Sequence, residues 1–435
     1  MDSAGDAGPC GGEETEMSDR AEVLVIGGGV IGACVAAALA ERGAAVTLLE
    51  RESEVCPPQS AVYANCGLLV PSKVEPLAHP GALGQGLRWM LDGTSPFYVK
   101  PRASFALARW LWLFRGACAP QVAQAHAPLL RELGVASAKL HDELATDGGD
   151  GWQYRRNGWL FVYETQSGLE AAVEEAERTR SLGVTNQVLT AAEVRDRVPQ
   201  VRTGSVVGGV LTPDDGHMDP AAFTRAMVAR AERAGAKVVT GAEAYGFDAD
   251  RGGVRAVRTT RGSFSAEQVV LAAGAWSAAL ARELGLRLPI EPAKGYSIDV
   301  DRPAGLPDLP LCVGEPHVVL TPMGDGLRLG STLELAGWDM RLRPKRLAHL
   351  RKAAARVLGL AEDGPVRQVW RGPRPLTPDG LPVIGRSPRH GNVVLATGHC
   401  MLGLSLGPVT GRLVAEVCGG ETPSLDLGLL RPDRF

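Results

Sequence analysis

Residues 21–51 read AEVLVIGGGVIGACVAAALAERGAAVTLLER. The apolar run 21–26 suits a buried parallel strand, broken by three glycines. The Ala-rich stretch 30–42 predicts a helix closed by Gly43, and 45–49, AVTLL, predicts the next strand. Strand, helix and strand in that order make a βαβ unit with a right-handed crossover, the opening of a parallel sheet. Inside it, Gly27 to Gly32 spell G-x-G-x-x-G. Gly27 permits the tight turn, Gly29 lets backbone approach a pyrophosphate, and Gly32 lets the helix pack on the strand. Val30 and Ile31 open the helix, whose free amides and positive end suit phosphate. Glu50 closes the second strand where a carboxylate meets ribose hydroxyls, and Arg51 follows it. These residues together are a dinucleotide-binding unit, and NAD and FAD both use it.

The rest of the chain bounds the class. At 435 residues it is long enough for two domains, and 45% hydrophobic residues suffice for large cores. Lys and Arg number 46 against 49 Asp and Glu, a net charge of −3. That balance excludes a nucleic-acid binder, which needs a basic face to replace phosphate counterions. None of the eight cysteines forms a C-x-x-C pair, and no Cys/His cluster has zinc spacing, so no metal site is expected. Residues 1–18, rich in Gly, Glu and Asp, read as a disordered tail and not as a signal peptide. A cytoplasmic location is expected, and no apolar run is long enough to span a bilayer. The stretch 105–114, FALARWLWLF, admits two readings. One is a helix packed over a substrate pocket. The other is a peripheral contact with the inner face of the cell membrane, with Trp110, Trp112 and the flanking arginines in the headgroup layer.

Further along, 158–163 predicts a strand, 169–181 a helix, 220–234 a helix and 237–240 a strand. Residues 254–259 and 263–271 predict a hairpin turning at Gly262, and 317–335 another turning at Asp325-Gly326. Nucleotide-type segments therefore lie at the start, near the middle and at the end. The expected fold is α/β. A Rossmann-like FAD-binding domain is built from discontinuous segments, 19–75, 205–290 and 370–435. A second, substrate-binding α+β domain with a mixed sheet comes from 76–204 and 291–369.

The later segments decide between the two dinucleotides. Residues 269–277, VVLAAGAWS, are a buried strand ending at Ala273-Gly274, where glycine permits close approach to a cofactor. The chain also carries A-N-C-G (64–67, with Asn65 and Gly67), P-x-x-x-x-P (71–76), D-x-G-x-x-D-P (214–220), K-G-Y-S (294–297), R-x-x-R-P-L-T-P-D-G (371–380) and G-H-x-x-x-G (398–403, with Gly398, His399 and Gly403). In order and spacing these resemble the D-amino-acid oxidase superfamily of flavoenzymes, and among its members most nearly the bacterial D-amino-acid dehydrogenases. The resemblance covers the chain from about residue 21 to the end.

It implies bound FAD and hydride transfer from the α-carbon of an amino acid to the flavin. The imino acid then hydrolyses to a 2-oxo acid. Arg374 is implied to pair its planar fork with the substrate carboxylate. Tyr296 is implied as a pocket residue, and His399 as a neighbour of the flavin. Ser405 is a candidate cap and Pro408 a candidate first residue of the last helix, whose positive end stabilises charge on the reduced ring. The chain departs from the family at Ala61, Val62 and Tyr63, where Ser or Thr is frequent, and at Pro373, where Leu is usual. Gly372 stands where sarcosine oxidases carry a flavin-linking Cys, so FAD is expected to be non-covalent. An oxidase or dehydrogenase of glycine, sarcosine or a cyclic secondary amino acid such as D-hydroxyproline is the alternative. Oxygen, a quinone and a partner protein all stay open as electron acceptor.

Overall fold

The computed structural model describes residues 21–82, 84, 97–148 and 151–435; the tail expected at 1–18 lies outside them. Strand Ala21–Ile26 pairs in parallel with Val46–Leu49 on one side and Gly262–Leu271 on the other. Lys237–Val239 extends this parallel array beyond Val46–Leu49, and Val393–Thr397 lies parallel on Gly262–Leu271. Val383–Arg386, together with the meander Ala244–Asp250, Gly253–Thr259 and Gly262–Leu271, adds the antiparallel members of an eight-stranded sheet.

Helix Val30–Ala40 is buried at ten of its eleven positions. Its small side chains allow that, because helix Gly403–Cys418 crosses it at very short range. A Cβ on Gly411 would meet the carbonyl of Cys34. The last helix therefore starts earlier than the sequence implies. Pro408 lies inside it, and Ser405 is not its cap. Ser405 instead accepts from the Val70 amide at 3.1 Å and donates to the Leu68 carbonyl at 3.2 Å. An internal proline strands the carbonyl four residues before it. Here that carbonyl, Leu404, is met at 3.1 Å by His141 Nε2 from helix Pro120–Gly148.

The second sheet has nine strands in mixed pairing. Gln368–Leu376, Glu291–Asp301, Gly326–Leu335 and Val318–Met323 run antiparallel in that order. Leu311–Val313 and Trp159–Tyr163 pair in parallel, and Gly208–Thr212 follows. Two expected boundaries move as a result. Gly208–Thr212 and Gln368–Leu376 belong to the nine-stranded sheet, so the crossings to the eight-stranded sheet fall after them, not at 205 and 370. Short apolar runs such as GGVLT carry no mark of which sheet they join. Helix Phe105–Ala117, capped by Ser104 (Leu107 N to Oγ, 3.3 Å), packs with Ala293, Leu333, Leu335 and Leu376 of the nine-stranded sheet. Trp110 is buried in it, stacks on Phe114 at 5.1 Å and donates its indole N–H to Leu376 O at 3.1 Å. The core reading therefore holds for Trp110, whereas Phe105 and Trp112 stand 87% and 71% exposed.

Candidate active site

A cavity of about 1090 Å³ runs from the first glycine loop to Arg374. At one end its wall is Gly27, Gly29, Val30 and Ile31. Gly27 has φ +110°, and a Cβ there would meet the Ala272 carbonyl. A Cβ on Gly32 would fall on the carbonyl of Gly27, so Gly32 lies behind the wall and fixes the turn. Gly28, not singled out in the sequence, donates its N–H to Glu50 Oε2 at 2.8 Å, and Glu52 N–H reaches Oε1 at 3.0 Å. Burial lifts the Glu50 carboxyl above its ordinary pKa, and these backbone donors pull it back. Arg51 lines the wall beside it, stacked 4.1 Å over the Trp276 ring. Ala273 and Gly274, the latter at φ +53°, continue the wall, and Thr397 Oγ1 donates to Gly274 O at 3.1 Å.

The middle of the cavity is closed by the A-N-C-G loop and by the start of the last helix. Asn65 Oδ1 accepts from the Gly67 amide at 2.8 Å, and Gly67 takes φ +65°. The substrate sheet holds this loop from the far side. Ser297 Oγ donates to Ala64 O at 2.7 Å, and Arg328 reaches Asn65 O at 3.0 Å while forking onto Asp299 at 2.8 Å. Gly398, His399 and Gly403 line the opposite side. His399 Nε2 lies 2.9 Å from Thr410 Oγ1, whose own proton goes to Leu406 O at 2.8 Å. The imidazole proton therefore sits on Nε2. Burial depresses the His399 pKa to about 3, so the ring is neutral near pH 7.

Arg374 forms the other end. Its Nη1 donates to Thr332 O at 2.9 Å, and among the described residues no carboxylate pairs with it. Burial pulls its pKa below the ordinary arginine value, partly countered by the nearby Cys66 thiol, yet a guanidinium stays charged. A charge in a half-buried cavity with open donor positions is built to receive an anion. Register explains the neighbours. Arg374 pairs with Ala293 and Gly372 with Gly295, so residues 293, 295 and 297 share its face.

Tyr296 and Lys294 therefore point the other way, and Tyr296 does not line the cavity. Its hydroxyl donates to Glu334 at 2.6 Å. Lys294, fully buried, lies 3.2 Å from the same carboxylate and donates to the carbonyls of Asp339 and Arg341 at 2.7 and 2.9 Å. These contacts pin the loop that carries Trp338 against Trp276, 4.9 Å between rings. The K-G-Y-S motif thus has two jobs on two faces. Asp219 and His217 stand apart: Asp219 caps helix Pro220–Arg233 through the Ala221 and Ala222 amides, both 2.9 Å.

The glycine cradle, the Glu50 carboxylate and the helix ends fit an adenine dinucleotide, and Arg374 lines the far end of the same cavity. Residues 22–417 match the model of the DAO family, described as FAD dependent oxidoreductase. The chain is 32% identical over 409 residues to the D-amino acid dehydrogenase of Granulibacter bethesdensis, covering 93% of this chain and 97% of that one. It is 35% identical over 425 residues to D-amino acid dehydrogenase 2 of Pseudomonas aeruginosa, covering 94% and 98%. Among solved structures, glycine oxidase from Geobacillus kaustophilus superposes with a TM-score of 0.76 at 25% identity, covering 96% and 99%. L-proline dehydrogenase from P. horikoshii shares the fold, with a TM-score of 0.74 at 22% identity and coverage of 96% and 98%. Two sheets, a dinucleotide cradle and full-length likeness lead to one assignment: this chain belongs to the DAO family of FAD-dependent oxidoreductases and is an enzyme that uses FAD.

Proposed function

We propose that the enzyme oxidises D-amino acids, giving an imino acid that water converts to a 2-oxo acid and ammonia. The observation that carries this reading is Arg374, a cation lining the cavity with no carboxylate among the described residues to pair with it. An α-carboxylate is the group every amino acid offers, and a guanidinium binds it through two parallel hydrogen bonds. The D configuration comes from the relatives, which carry that name at 32–35% identity. When bound, FAD would supply the hydride acceptor that oxidation at the α-carbon needs.

The chain's own residues hold, orient and shield. Gly27 to Gly32 and Glu50 hold the dinucleotide. Arg374 fixes the substrate carboxylate and so directs the α-hydrogen. The positive end of helix Gly403–Cys418 faces the cavity through Gly403 and Leu404, where it stabilises negative charge built up during the reaction. The substrate ammonium first gives its proton to solvent in the complex; the lone pair so freed drives the C–H cleavage, and no protein base is required for that cleavage. A Cβ on Gly372 would run into the Trp370 ring and Ala61, so this position has no room for a linking cysteine, which supports a non-covalent FAD.

Anaerobic bleaching of the yellow holoenzyme by a panel of D- and L-amino acids, glycine, sarcosine and cyclic secondary amino acids tests the reading. D-amino acids are expected to bleach fastest. Preference for glycine, sarcosine or D-hydroxyproline would give the reaction to the alternative, for which Ala61, Val62 and Pro373 on the cavity wall are the residues to examine.

We also propose a peripheral membrane contact through helix Phe105–Ala117, on the strength of exposed Phe105, Leu111 and Trp112 beside Arg115. No helix among the described residues is long and apolar enough to cross a membrane. Phe105→Glu with Trp112→Glu should abolish co-sedimentation with anionic liposomes while leaving the core residue Trp110 in place. Equal recovery in the supernatant with and without liposomes contradicts the contact.

A further inference from the structure

Arg374 sits in a notch made by its neighbours' backbones. Strand Glu291–Asp301 pairs with Gly326–Leu335 through Lys294↔Glu334 and then Tyr296↔Ser331. One residue, Gly295, therefore faces two, Thr332 and Leu333, which is a β-bulge. At the bulge Thr332 takes φ +77°, a left-handed conformation that a β-branched side chain rarely adopts. Strain of this kind persists where the surrounding structure imposes it, and it collects at functional sites. Its effect here is visible: the Thr332 carbonyl is turned onto Arg374 Nη1 at 2.9 Å. On the other side, a Cβ built on Gly295 would coincide with the Arg374 guanidinium, touching Nη1, Cζ and Nη2. Gly295 itself has no positive φ, so its backbone has no need of glycine. The space above it is what the missing side chain supplies.

We propose that Gly295 and the Thr332 bulge are positioning residues that set the orientation of the Arg374 fork. Gly295 is the floor on which the guanidinium lies, and the Thr332 carbonyl occupies one of its donors. The remaining donors face the cavity. This rests on the reading that Arg374 receives the substrate carboxylate. Any side chain at 295 lifts the guanidinium from its floor while leaving its charge in the cavity. A displacement of about 1 Å in such a clamp is enough to cost ~10²-fold in efficiency. The atoms in the way belong to the far end of a flexible side chain, so the fold itself tolerates Gly295→Ala.

The test is a double-mutant cycle on FAD-replete protein with Gly295→Ala, Arg374→Ala and both together. Two readouts are taken: the dissociation constant of propionate, followed by the flavin absorbance change, and kcat and KM for D-alanine. Gly295→Ala is expected to weaken propionate by about as much as Arg374→Ala, ~10²-fold, and to add nothing in the Arg374→Ala background. The loss should appear mainly in KM. Wild-type propionate affinity in Gly295→Ala overturns the proposal, and so does an equal loss from Gly295→Ala in both backgrounds. If Arg374→Ala alone leaves propionate binding unchanged, the carboxylate reading fails first, a separate result. Should Gly295→Ala lose FAD, recovery of FAD in the double variant supports the clash with Arg374, and continued loss contradicts it.

Discussion

The two ends of the cavity are built from different materials. The dinucleotide end is backbone: Gly27 and Gly29 line the wall, and one carboxylate, Glu50, is held in place by two of the chain's own N–H groups, those of Gly28 and Glu52. The Arg374 end, where we propose the substrate binds, is side chain: Arg374 projects from one strand across a second and is steadied by the carbonyl of a third. Backbone suits a cofactor that never leaves, because a loop has few alternative conformations once its glycines are in place. A long side chain suits a substrate that must enter and go, and its orientation then depends on whatever surrounds it. The first end should fail all at once when its packing is broken. The second should fail by degrees.

Gly32→Val puts the first half of that contrast under the greatest load. The Cβ would lie on the Gly27 carbonyl, which is backbone and has nowhere to move. Loss of roughly 3 kcal/mol or more is expected, with protein that purifies colourless. Retained FAD at wild-type stoichiometry would mean that the loop adapts, and the contrast would weaken.

The pH dependence of stability is the next largest effect. His141, His217 and His399 are neutral in the fold, because burial holds their pKa values at about 4, about 4 and about 3. An unfolded imidazole takes its proton near 6.5. Below about pH 6.5 the unfolded chain therefore binds protons that the folded chain refuses, and stability present above that pH is lost as the pH falls toward 4. Asp215 works in the opposite sense. Burial raises its pKa to about 6, so its contribution is complete below pH ~4 and is lost as the pH rises to 6. Three histidines outweigh one aspartate, and roughly 1–3 kcal/mol per histidine is at stake. Thermal melts from pH 8 to 4.5 should show a falling Tm with FAD still bound at the upper end. A Tm that is flat or rises on acidification contradicts the neutral assignments.

His141→Ala probes the smallest effect. It removes the donor that replaces the missing amide of Pro408 and leaves the Leu404 carbonyl without it. A loss of about 1–3 kcal/mol in urea unfolding is expected, with kcat/KM for D-alanine changed less than twofold. A large kinetic change would tie the Leu404 end of the last helix to the site.

The contrast also decides what can be read from the chain alone. The dinucleotide unit is contiguous, so the spacing from Gly27 to Glu50 already contains its geometry. Arg374 is legible through its R-x-x-R-P motif. Gly295 and Thr332 are not, because their roles arise from a bulge between strands that lie some 30 residues apart in the chain. Tyr296 is the instructive case. K-G-Y-S marks the right strand, yet side chains alternate between faces, and only the pairing of Ala293 with Arg374 puts Gly295 on the cavity face and Tyr296 on the other. At Pro408 the usual meaning of a proline near a helix start is overridden by His141, a residue more than 260 positions away that fills the vacant hydrogen bond.

The central claim is that Arg374 receives the carboxylate of an amino acid beside FAD. The direct measurement is anaerobic bleaching of FAD-replete Arg374→Ala and Arg374→Lys by the best D-amino acid of the wild-type panel. Truncation of a charge pair in a desolvated site costs about 2–5 kcal/mol, so the alanine variant should lose roughly 30- to several-thousand-fold in the rate constant per substrate concentration. Lysine should recover part of this, since it restores the charge without the fork. Bleaching by the alanine variant at near wild-type efficiency would remove Arg374 from the site and contradict the account.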